Sequence, residues 1–305
     1  MRRLPRNVPR DAQKLTALLA AIVLTLCGLS ARAAADPGLA IRGAYLAAAA
    51  GCDQCHTDTK NGGSPYAGGR ALETRFGTIF TPNITPDRAT GIGRWRLADL
   101  ERALRWGIAP DSSHYLPAFP FPFYNGLTDT DLIDLKAFLD GLPAIFRINI
   151  AAAPGIFSTL WTRAAITVVA ECFPGPWQPD PTKDPAWNRG AYLVNTVGRC
   201  GDCHTRRNWL GAPDLKRQIA GRPAGSGGKA FPNITPDSET GIGKWSEDDI
   251  TTLLKDGQTP DFDFVGGAMA EIVKNTTRLA DADRRAIAVY LRSLPAVRSE
   301  QGATH

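Results

Sequence analysis

Two copies of one pentapeptide, Cys52-Asp53-Gln54-Cys55-His56 and Cys200-Gly201-Asp202-Cys203-His204, limit what this chain can fold into more than any other feature. C-x-x-C-H is the attachment signature of c-type heme. Two thiols on one turn of chain can each bond a vinyl group of the same porphyrin, and the next residue sets an imidazole under the iron. Two other readings use the same residues. A four-cysteine zinc site needs both pairs to converge on one ion. A dithiol redox pair needs a βαβ context, and the pattern shows none.

The pentapeptides sit inside a longer duplication. Arg42-Gly43-Ala44-Tyr45-Leu46 recurs as Arg189-Gly190-Ala191-Tyr192-Leu193, with one extra residue before the second pentapeptide. Pro82-Asn83-Ile84-Thr85-Pro86-Asp87 recurs as Pro232-Asn233-Ile234-Thr235-Pro236-Asp237. Thr90-Gly91-Ile92-Gly93 with Trp95 recurs as Thr240-Gly241-Ile242-Gly243 with Trp245. Each unit has the size of a small domain. Its pattern predicts a short apolar helix (41–50 and 188–197), the pentapeptide, a Gly/Pro-rich loop and a helix opening at Trp95 or Trp245. A closing amphipathic helix starts after Thr128 or Asp281. Leu132, Leu135, Phe138 and Leu139 recur at helical spacing in that last helix, and Arg284 breaks the pattern in the second copy. Crossing of first and last helices would set Gly43 under Phe138 and Gly190 under Tyr290, where glycine permits close approach. The fold class is all-α: unit one spans 36–143, a partly helical, packed linker 144–185, and unit two 186–305. Within the linker, 156–173 is apolar and contains Cys172, read as a buried thiol.

Residues 1–35 read as an export signal. A basic start leads into the uncharged run Leu15–Ala31, and small residues before Asp36 suit cleavage. An uncleaved anchor is the competing reading. Cleavage would remove Cys27 and place the protein in the periplasm. The net charge of +5 resides in this segment; beyond it, basic and acidic residues balance. Nucleic acid is therefore not an expected partner.

The combination of C-x-x-C-H, N-I-T-P-D and T-G-I-G-x-W resembles the cytochrome c subunits of bacterial membrane-bound alcohol, gluconate and aldehyde dehydrogenases. The resemblance covers the chain beyond residue 35. It implies tandem class I cytochrome c domains carrying two covalent hemes, attached at Cys52, Cys55, Cys200 and Cys203 with His56 and His204 on iron. It implies electron transfer from a periplasmic dehydrogenase toward a downstream acceptor in the respiratory chain. Membrane association would come through the partner or an uncleaved N-terminus. The best-known members have three heme motifs and a C-terminal membrane-binding segment; this sequence has two motifs.

The family places a methionine on each iron in a loop after the T-G-I-G-x-W helix. Of two methionines, Met1 and Met269, only Met269 stands at such a position, in the second unit. The first unit has Phe119 there, and phenylalanine has no lone pair for iron. His114 is one substitute ligand; an open or water-bound site and another donor are the alternatives. His305, the fourth histidine, is terminal. An open first heme would allow enzyme or small-ligand sensor chemistry instead of simple electron transfer. Trp95 and Trp245 could bond heme propionates or serve as core aromatics. Asn83, Asn233, Thr85 and Thr235 could support the heme loop or simply form turns.

Overall fold

The computed structural model describes residues 36–74, 77–115, 118–150, 175–208, 213–224 and 230–299. The expected leader with Cys27, the apolar stretch 156–173 with Cys172, and His305 lie outside the described residues. The described residues from Gly38 to Ser299 belong to one compact unit.

The first repeat opens with α1 (Pro37–Ala50), which leads through Gly51 into the short α2 (Cys52–His56). An antiparallel ribbon follows, β1 (Ala71–Thr74) against β2 (Gly77–Phe80), with Ala71 opposite Phe80. Then come α3 (Leu97–Trp106), α4 (Phe121–Tyr124) and α5 (Asp129–Asp140). The second repeat contains α6 (Pro185–Tyr192), α7 (Cys200–His204), α8 (Glu247–Asp256), α9 (Gly267–Thr276) and α10 (Asp281–Ser293). The chain is helix-rich, and the small ribbon is its one departure from the all-α expectation among the described residues.

Local chemistry sets the helix ends. α3 and α8 begin two residues after Trp95 and Trp245, because each Trp N–H is held by the preceding turn, at Ile92 O (2.9 Å) and Ile242 O (3.0 Å). The backbone N–H groups of Arg96 and Ser246 donate instead to Asp99 (2.9 Å) and Asp249 (2.8 Å), closing the first turn. Gly107 and Gly257 end these helices at φ 64° and 78°, the left-handed conformation that glycine takes without strain.

The extra residue of the second repeat has a visible place. α6 runs on into a wide π-helical turn, Leu193–Val197, in which Gly198 N–H donates to Leu193 O at 2.7 Å. A one-residue insertion absorbed this way shifts neither the helix face before it nor the pentapeptide after it.

The first and last helices of each repeat cross at glycine. A Cβ on Gly43 would overlap the Asp134 carbonyl oxygen and lie 2.7 Å from Phe138 Cβ. A Cβ on Gly190 would overlap the Ala286 carbonyl oxygen and lie 2.8 Å from Tyr290 Cβ. One core runs through both repeats, with Leu46, Ala47 and Leu132 from the first and Ala191, Ile287 and Leu291 from the second.

The contact between repeats is reciprocal. Tyr45 donates to Asp283 (2.7 Å) and accepts from Ala280 N–H (3.0 Å). Its repeat partner Tyr192 donates to Asp131 and accepts from Thr128 N–H (3.4 Å). Each tyrosine thus reaches the start of the other repeat's closing helix, the self-complementary pattern of a two-fold interface.

Candidate heme sites

In both repeats the pentapeptide forms one helical turn, and its histidine is fixed from behind. His56 Nδ1 is 2.8 Å from Pro82 O, and His204 Nδ1 is 2.8 Å from Pro232 O. A carbonyl only accepts, so Nδ1 carries the hydrogen and Nε2 keeps the free lone pair. Burial holds both imidazoles below their ordinary pKa, and the proline carbonyl only partly opposes it. Each ring is therefore a neutral donor near pH 7. Burial pushes the Cys52 thiol up to about 12 and the Cys200 thiol up to about 11. None of Cys52, Cys55, Cys200 and Cys203 is paired in a disulfide. Two thiols and one imidazole on a single turn fit a c-type heme. Among the described residues no three His, Cys, Asp or Glu side chains converge to hold a metal ion, so the zinc reading lacks the convergence it needs.

Pro82 and Pro232 hold the two histidines, a part that side-chain chemistry does not announce, because the bonding atom is a backbone oxygen. The available signal was their recurrence directly before Asn-Ile-Thr-Pro-Asp in both copies. The rest of that motif holds the carbonyl still. Asn83 Nδ2 donates to Thr90 Oγ1 (3.1 Å) and Ile145 O (2.7 Å), while its Oδ1 accepts from Thr85 N–H (2.9 Å). Asn233 repeats this with Thr240 Oγ1 (3.0 Å), Val297 O (2.7 Å) and Thr235 N–H (2.9 Å). Asp87 and Asp237 each accept a backbone N–H, from Thr90 and Thr240, at 2.7 Å. All four Asn and Thr side chains are buried and bonded, so they hold the loop that carries Pro82 or Pro232. Ile145 lies in the span expected as linker, yet its carbonyl belongs to the first repeat's network. Trp95 and Trp245 are both partly buried against hydrophobic clusters.

The two pentapeptide turns press against the opposite repeat. Asp53 pairs with Arg278 (2.8 Å), and Gln54 Oε1 accepts from Asn275 Nδ2 (3.0 Å). On the reciprocal side a Cβ at Gly201 would lie 3.3 Å from the Phe123 ring.

The sequence-predicted sixth ligands occupy unlike settings. Met269 lies in the first turn of α9, partly buried against the main core, so it stands on a helix where a loop was expected. Phe119 sits among aromatic rings, 5.6 Å from Tyr115, 6.0 Å from Tyr124 and 6.5 Å from Phe121. His114 follows α3, pairs through its backbone with Ile108 and is partly buried. Its counterpart, Phe264, pairs with Gln258 and is exposed.

No protein-family model matches the chain. A diheme cytochrome c-type protein of Cereibacter sphaeroides is 43% identical over 85% of this chain and 87% of its own length. The fructose dehydrogenase cytochrome subunit of Gluconobacter japonicus is 38% identical over 97% of this chain. The cytochrome c subunit of the quinone-dependent alcohol dehydrogenase of Gluconobacter oxydans is 39% identical over 86% of it. The chain spans 62% and 56% of the length of those two dehydrogenase subunits. With both C-x-x-C-H turns built alike and this likeness covering most of its length, the chain belongs to the diheme c-type cytochromes.

Proposed function

We propose that this protein is a diheme electron carrier that accepts electrons from a dehydrogenase partner and passes them to a downstream acceptor. The observation that carries the reading is the matched histidine geometry, Nδ1 to a proline carbonyl at 2.8 Å in both repeats. As a member of its family the chain carries two covalently bound c-type hemes. Cys52 and Cys55 hold the first through thioethers, and Cys200 and Cys203 hold the second. When bound, each heme iron supplies one-electron exchange between Fe(III) and Fe(II). The protein's part is to fix each imidazole. The Pro82 and Pro232 carbonyls raise the basicity of His56 and His204 Nε2, and the buried Asn–Thr networks keep those carbonyls in place. The repeats are read as tandem class I cytochrome c domains. Relatives named as subunits of fructose, alcohol and gluconate dehydrogenases support a dehydrogenase as the electron donor. The signal-like N-terminus supports the periplasm as the location, and the likeness to cytochrome c subunits of dehydrogenases supports the respiratory chain as the destination.

Met269 is proposed as the sixth ligand of the second heme. For the first heme, Phe119 favours a second reading in which the sixth position is open or taken by His114. Carbon monoxide titration of the reduced holo-protein, with an EPR spectrum of the oxidised form, separates these. No binding, with one His/Met and one bis-His signal, assigns a closed carrier with His114 on iron. Stoichiometric binding at one heme assigns an open first site and small-ligand chemistry there. A chain matured in a heme-attaching periplasm that carries no heme overturns the proposal.

A further inference from the structure

We infer that Arg199 is a positioning residue shared by both heme-attachment turns, a fixed cation between them that raises the reduction potential of both hemes. The inference rests on the diheme reading above.

Arg199 immediately precedes Cys200 and has φ 43° and ψ 44°, in the left-handed region. Its counterpart before Cys52 is Gly51, with φ 69° and ψ 33°. The turn therefore demands a left-handed residue in each repeat. Glycine meets the demand freely, whereas a residue with a Cβ is strained by about 1 kcal/mol. Strain retained at one copy and absent at the other implies that the arginine side chain contributes something glycine cannot.

That side chain leaves its own repeat. Nε donates to Tyr124 Oη at 3.0 Å, and Nη2 lies 3.3 Å from Ala50 O, two residues before Cys52. The guanidinium stands over the Tyr124 ring at 5.7 Å. Nη1 is 3.5 Å from Asp202 Oδ2, between Cys200 and Cys203. One guanidinium thus touches the chain entering the first turn and a carboxylate within the second. The side chain is only 18% exposed, so salt screens it weakly. Arg278 and Arg70 bond the first turn, at Asp53 and at Gln54 O, and Arg207 bonds Asp202 in the second. Reduction adds one negative charge to the iron centre, so a fixed cation stabilises the reduced form.

The test is a spectroelectrochemical titration of both hemes in the holo-protein and in Arg199→Gln, Arg199→Gly and Arg199→Lys, at low salt and at about 1 M salt. Heme content and the unfolding midpoint are measured alongside. Gln and Gly are expected to lower both potentials, by about tenfold in the reduced-to-oxidised ratio, or ~59 mV for one electron. The shift should persist at high salt, and Lys should retain most of the wild-type value. Arg199→Gly also relieves the backbone, so a misfolded protein does not explain its shift. Unchanged potentials in Gln and Gly variants that still hold two hemes overturn the inference and leave the diheme reading standing. A shift confined to one heme overturns the shared role. A wild-type protein without heme overturns both.

Discussion

The two repeats solve one capping problem with arginines from different helices. In the first, Arg105 of α3 is buried and donates to Leu127 O and Asp129, both at 2.6 Å, just before and at the start of α5. In the second, the matching acceptors are Leu279 O and Asp281, but the guanidinium comes from Arg284 within α10 itself. Arg284 also donates to Thr276 O (2.9 Å) and Thr277 O (3.1 Å). Where Arg284 stands, the first repeat buries Leu132; where Arg105 stands, the second repeat exposes Lys255. The comparison teaches that what a duplicated fold preserves is the satisfied carbonyl, and that the residue satisfying it can move. The glycine crossings show the opposite behaviour, because a backbone contact leaves no alternative donor to recruit.

The glycines are accordingly where the repeats should respond most strongly and most alike. Gly43→Ala and Gly190→Ala each drive a Cβ into a carbonyl oxygen of the crossing helix. A backbone atom cannot rotate away, so each should cost about 3 kcal/mol. Chemical denaturation followed by circular dichroism measures this. A cost below about 1 kcal/mol at one site would mean that helix pair separates easily, and the symmetry of the crossings would be lost.

The arginines should break the symmetry. Arg284→Leu rebuilds the apolar position of the first repeat but strips donors from buried carbonyls, at about 2 kcal/mol. Adding Lys255→Arg supplies a guanidinium from the helix that provides it in the first repeat. The double variant should regain at least half of the loss in the same denaturation measurement. No recovery would show that α8 and α3 do not present this position equivalently.

The ligand positions sharpen the contrast at the proposed hemes. Met269→Ala should open the second heme to carbon monoxide and leave the first heme's spectrum unchanged. Phe119→Met offers the first repeat the thioether it lacks. It should raise that heme's potential, since a thioether favours Fe(II). Absorption spectroscopy with redox titration reads both. A Met269→Ala protein that binds no carbon monoxide would remove Met269 from the iron.

Much of this was legible in the sequence, and what was hidden has physical causes. The duplication, the C-x-x-C-H turns and the Gly43 and Gly190 crossings follow from residue identity at fixed spacing, and the structure places the crossings under Phe138 and Tyr290 as that spacing implies. Arg284 read as a break in an apolar stripe, because periodicity records which face a residue occupies and not which carbonyls lie beneath it. The inserted residue before Cys200 was visible, but not that Leu193–Val197 would absorb it as a wide turn. Pro82 and Pro232 act through backbone oxygen, which every residue has. Tyr45 and Tyr192 lie in identical pentapeptides, yet each bonds across to the other repeat, and no local pattern encodes that exchange.

The smallest expected effect tests that exchange through pH. Asp283 accepts from Arg189 at 2.9 and 2.6 Å and from Tyr45 at 2.7 Å. Burial alone would raise its carboxyl, but the bonds from Arg189 and Tyr45 outweigh burial and hold it below its ordinary value. A carboxyl depressed in the folded state binds its proton more weakly there than in the unfolded chain. Its contribution is therefore complete above the unfolded pKa of about 3.9 and is lost as pH falls through the lower folded value. Arg189 is partly solvent-exposed, which limits the effect to about 1 kcal/mol. Asp283→Asn should lower the denaturation midpoint by a constant amount from neutral pH down to about pH 5, and the gap should close below about pH 4. In the first repeat Arg42 bonds Asp134 instead, at 2.8 and 2.9 Å, while Asp131 accepts from Tyr192. Asp131→Asn should therefore cost less than Asp283→Asn at neutral pH. Equal costs would mean that the tyrosine bond between the repeats, and not the Arg189 pair inside the second repeat, accounts for the loss.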